Sequence, residues 1–100
     1  MNRLEHILTC VAEESNEVGQ RACKALRFGL EEVQPGQELP LTNWDRMLGE
    51  YHDLQAMIIM LAAETDRTAQ DILAPEEVIR AKIDRVESYM DLARAGGALQ

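Results

Sequence analysis

Three long amphipathic stripes constrain this chain more than any other feature. Leu4, Ile7, Leu8, Val11, Val18, Ala22, Ala25 and Leu26 fall at helical spacing from near the start to about Phe28. Gly29, able to take a left-handed conformation, is placed to stop that helix. Met47, Leu48, Tyr51, Leu54, Ile58, Leu61 and Ala62 form a second stripe ending near Glu64. Thr42 or Asn43 is placed to cap its start, with Asp45 favourable in the first turn. Ile79, Ile83, Val86, Met90 and Ala93 form a third, from Pro75 to Gly96-Gly97. Between the first two stripes, residues 30–41 carry Pro35, Gly36 and Pro40 and read as a loop, long for a helical domain. The polar stretch 65–74 allows one short turn of helix around Asp71-Ile72-Leu73. Nothing alternates with a period of two, and only four residues are aromatic. The expected fold is all-α, a small bundle of three to four helices.

At 100 residues the chain is one domain, 1–100, near the lower size limit for a comfortable core. Such a bundle is expected to complete its core by pairing with a second copy, as a homodimer or a higher homo-oligomer. The formal charge of −8 disfavours a nucleic-acid polymer or an anionic membrane as partner, since both require an excess of Lys and Arg. Cys10 and Cys23, thirteen residues apart on one helix, would lie roughly 20 Å from each other, too far for a disulfide. No apolar run reaches membrane-spanning length and the start lacks a signal-peptide layout, so a cytoplasmic protein is expected.

Two acidic clusters lie within these stripes. Glu13-Glu14-Ser15-Asn16-Glu17 is in the first helix and Glu50-Tyr51-His52-Asp53 in the second. Residues three apart share a helix face, so Glu14 pairs with Glu17 and Glu50 with Asp53. Each pair borders an apolar stripe, where a metal site between helices is built. Should these edges face one another, four carboxylates converge and require a cation. Hard oxygen ligands in that number suit Mg²⁺, or Mn²⁺. Solvated surface charge is the plainer explanation for any single pair.

The two clusters together resemble the EExxE…ExxD signature of the MazG-like, all-α nucleoside triphosphate pyrophosphohydrolases. Lys24-Ala25-Leu26-Arg27-Phe28-Gly29 and the aliphatic run after Asp53 are also similar to that group, so the likeness covers roughly residues 4 to 64. It implies that Glu14, Glu17, Glu50 and Asp53 hold Mg²⁺ and carry catalysis on a (d)NTP, releasing (d)NMP and pyrophosphate. Three positions depart from the pattern. Met57 stands where members often carry Asn or Tyr, the spacing from Glu17 to Glu50 is long, and Cys10 replaces the Lys usual in histidine-pathway relatives. The last speaks against phosphoribosyl-ATP.

Arg21, Lys24 and Phe28 continue the Glu14–Glu17 line, and Lys24 is a candidate for phosphate, with Arg27 behind it. The helix dipole alone also favours basic residues there. Trp44, the only tryptophan, could stack on a base or anchor an interface. His52 points away from the Glu50/Asp53 edge and is read as surface or dimer contact. Met57, Met60 and Met90 are read as core. The alternative function is a non-catalytic acidic helical dimer, a protein-interaction module or nucleotide-binding regulator.

Overall fold

The computed structural model describes all 100 residues. It is all-helical, with α1 over Arg3–Phe28, α2 over Asn43–Glu64, a single turn α3 over Ala69–Ile72, and α4 over Glu76–Ala95. The Pro/Gly loop precedes α2 and contributes one isolated antiparallel bridge, between Val33 and Thr42.

Local chemistry sets each boundary. Asn2 caps α1: its side chain accepts from the Glu5 N–H at 2.8 Å, while the Glu5 carboxylate accepts from the Asn2 N–H at 2.9 Å. Thr42 and Asp45 repeat this reciprocal box at the start of α2, both bonds being 3.0 Å. Gly29 ends α1 at φ +100°, where any side chain would be strained. Pro75 is the residue before α4, not its first, and the helix stops at Gly96.

α1 and α2 form an antiparallel hairpin. Arg21 pairs with Glu50 near the loop end, while Arg3 pairs with Glu64 at 2.8 Å at the open end. The seam buries Ile7 and Ala62. α3 rests on α2, whereas α4 packs on no other helix of the chain. The apolar stripe of α4 therefore covers nothing within this chain, and only three residues in all are fully buried. Leu26, expected on the inward face of α1, is 87% exposed because the seam follows Val18, Arg21 and Ala25 instead. Met60 and Met90, expected in the core, are also exposed. The radius of gyration is 17.3 Å, against roughly 13 Å for a compact 100-residue domain.

One polar residue positions the hairpin. Asn43 is 1% exposed, and its amide donates to the Gly29 carbonyl at 2.8 Å. Its backbone N–H donates to Glu32 O at 3.1 Å, and that of Trp44 to Leu30 O at 3.0 Å. These three bonds clip the end of α1 and the loop that follows it to the start of α2. They set which carboxylates of the two helices stand opposite each other.

No helix is long and apolar enough to cross a membrane.

Candidate metal centre

The hairpin brings the two acidic clusters face to face. Carboxylate oxygens of Glu14 from α1, and of Glu50 and Asp53 from α2, all lie within 4.8 Å of one another. Glu17 falls outside this group of three, yet its carboxyl is close enough to raise the titration of both Glu14 and Glu50. All four residues expected to hold a cation are thus in one place. Three converge tightly and the fourth flanks them. Glu14 and Glu50 are half-buried, whereas Asp53 opens to solvent.

The electrostatics follow from crowding. Glu14 is pushed from an ordinary 4.5 to about 7, first by loss of solvent, then by the hydrogen bond with Glu17 and the charges of Glu17, Asp53 and Glu50. Glu50 is also raised, chiefly by its hydrogen bond with Glu17, then by desolvation and the charges of Glu17 and Asp53. Arg21 pulls Glu50 the other way, but across 4.0 Å. A single guanidinium at that distance does not balance four carboxylates.

One further feature bears on what the cluster can hold. Glu14 Oε2 is sealed from solvent and accepts no hydrogen bond from any N–H or hydroxyl. A buried, ionised carboxylate oxygen without a donor is costly. Either a shared proton or a cation relieves it. Three to four oxygen donors of this kind fit Mg²⁺ or Mn²⁺, hard ions that take carboxylates and retain water.

Beside the carboxylates is an open cleft of about 250 Å³, lined by Arg21, Leu41, Asp45, Arg46, Gly49, Glu50 and Asp53. Arg46 Nε is buried there without an acceptor. Arg21 and Arg46 are therefore the cations next to the acidic group; Arg21 continues the Glu14–Glu17 line along α1, whereas Arg46 gave no such signal. Arg46 falls one residue after Asp45 in the first turn of α2, where a basic residue is disfavoured by the dipole and so hints at another role.

The expected phosphate contacts lie elsewhere. Lys24 and Arg27 line a separate cleft with Gly19, Gln20 and Cys23 on α1. The Arg27 guanidinium stacks over Phe28, 5.4 Å from the ring centre. Trp44 is 46% exposed at the start of α2 and lines neither cleft. His52 is exposed, its ring tilted against Tyr51 at 6.1 Å. Cys10 and Cys23 are both free thiols. Asn43, whose hydrogen bonds set the register of the acidic clusters, carried no signal beyond its place at a helix start.

Comparison of the chain with protein families, with characterised proteins and with solved structures finds no match.

Proposed function

We propose that this chain is a Mg²⁺-dependent nucleoside triphosphate pyrophosphohydrolase, acting as a homodimer on a (d)NTP in the cytoplasm. The reaction adds water across the anhydride between the α- and β-phosphates, giving (d)NMP and pyrophosphate. The observation that carries the reading is the convergence of Glu14, Glu50 and Asp53 within 4.8 Å, one Glu14 carboxylate oxygen being buried without a donor. The EExxE…ExxD spacing of the same residues supports it.

Mg²⁺ bound there would act as a Lewis acid on phosphate oxygens and lower the pKa of water. The chain's own residues divide the remaining work. Glu14, Glu50 and Asp53 would hold the cation, and Glu17 flanks them as a fourth carboxylate facing the same charge. Arg21 and Arg46 bring positive charge to the adjoining cleft, where a polyphosphate would otherwise meet only carboxylates. Lys24, on the α1 line beyond Arg21, and Arg27 extend that positive character toward the end of α1. Trp44, exposed near the loop, offers a flat face to a base. The partner copy would cover the apolar surface that a single chain leaves bare.

The test is pyrophosphate release from a panel of NTPs and dNTPs, with Mg²⁺ and with EDTA. Metal-dependent formation of monophosphate and pyrophosphate is expected, and it should be lost in Glu14→Gln and Asp53→Asn. Silence across the panel, together with no Mg²⁺ shift in melting temperature, would refute the reading. An acidic interaction module would remain, its cluster indifferent to divalent cations.

A further inference from the structure

α4 is built to be covered, yet nothing in its own chain covers it. Ile79, Ile83, Val86, Met90 and Ala93 recur at intervals of four, three, four and three residues. That 3.5-residue spacing is the seam of a helix that lies along other helices. Ile79, Ile83 and Met90 are nonetheless exposed.

The outer face of α2 has the complementary defect. Tyr51, Leu54, Ile58 and Ile59 form, with Ile72 and Leu73, a groove of about 240 Å³ that is almost wholly apolar. Ile58 and Ile72 also border a second hollow, which carries the groove on to Leu4 and Leu8 of α1. The α4 seam spans fourteen helical steps, roughly 21 Å. The ten steps from Tyr51 to Leu61 cover about 15 Å before the groove continues across α1, so the lengths agree.

The surface area identifies the occupant. The chain exposes 7788 Å², whereas a folded monomer of 11.3 kDa should expose about 5,700 Å². The excess of about 2,000 Å² per chain, counted over two chains, falls within the range of an obligate dimer interface. The connection from α3 to α4 is only Leu73-Ala74-Pro75, with Leu73 and Pro75 both extended. It directs α4 away from the groove that Leu73 itself helps to line. Short hinges of this type favour exchange of an element between copies.

We infer that α4 of each chain lies in the α2–α3 groove of a second copy, reciprocally about a two-fold axis. The surface deepens the homodimer part of the reading above and is independent of the nucleotide chemistry. Two measurements on the full chain test it. Light scattering should give twice 11.3 kDa, and Ile83→Glu should reduce this to the single-chain mass. In a sample mixing differently labelled chains, inter-chain NOEs should connect the Ile79 and Ile83 methyls to those of Ile58, Ile59 or Ile72. A wild-type monomer would overturn both the surface and the homodimer. A dimer whose inter-chain contacts omit α4, or join α4 only to α4, would overturn the exchanged surface and leave the dimer standing. These readouts do not depend on enzymatic activity, so the hydrolase reading can fail without affecting them.

Discussion

Proton competition offers the sharpest test of the acidic cluster. Glu14 titrates at about 7 in the folded protein without a cation, and a metal must displace that proton to use both oxygens. For one competing proton, the apparent affinity falls by the factor one plus the ratio of protonated to ionised carboxyl. With the carboxyl at about 7, that factor is about 11 at pH 6, about 2 at pH 7 and close to 1 at pH 8. Apparent affinity for Mg²⁺ should therefore weaken about tenfold from pH 8 to pH 6. The raised Glu50 adds to the loss at the acid end. Calorimetric titration with Mg²⁺, and with the tighter-binding Mn²⁺, at pH 6, 7 and 8 measures this directly. Repeating pH 7 in buffers of different ionisation heat should count about half a proton released per cation bound. Glu14→Gln has no proton to displace at this position, so its Mn²⁺ binding should be weaker and lose most of its pH slope. Equal wild-type affinities at pH 6 and pH 8 would refute the argument, as would an undiminished slope in Glu14→Gln.

Three further outcomes follow from the same geometry. Glu14 is raised in the fold from 4.5 to about 7; its stabilising contribution is full below 4.5 and is lost as pH rises through 7, so the metal-free protein should melt higher at pH 5 than at pH 8. Glu14→Gln should flatten that trend and raise the melting temperature at pH 8, as read by circular dichroism. Asn43→Leu leaves the Gly29 carbonyl without its donor, which should cost about 1–3 kcal/mol and lower the melting temperature by roughly 4–8 °C for each kcal/mol. It should also weaken Mn²⁺ binding, since the clip sets the register of the two acidic helices. Ile7, 3% exposed, is the largest fully buried apolar side chain in the seam, and Ile7→Ala should cost about 2–5 kcal/mol in urea denaturation.

The helices themselves were legible in the residue order, because periodicity, caps and breakers are local. α1 ends at Phe28 before Gly29, α2 opens after Thr42, and the helical turn in the polar stretch covers Ala69–Ile72. The ExxE and ExxD pairs were legible for the same reason: three-residue spacing puts two carboxylates on one face whatever the tertiary structure. Which faces meet was not. Leu26 fits the helical stripe of α1 as well as Ala25 does, yet it points to solvent, since the rotation of α1 on α2 is decided by long-range packing. Asn43 reads as an ordinary helix-start residue, and only the path of a twelve-residue loop turns it into the buried clip that aligns the carboxylates. Arg21 was legible on the Glu14–Glu17 line, but that Arg46 joins it in the acidic cleft while Lys24 and Arg27 line another was not, because neighbours in space across two helices leave no trace in spacing along either one. Local order thus determined the elements and the carboxylate pairs. Tertiary structure decided the convergence of Glu14, Glu50 and Asp53, and left α4 without a partner in its own chain, since both depend on how separate helices are oriented in space.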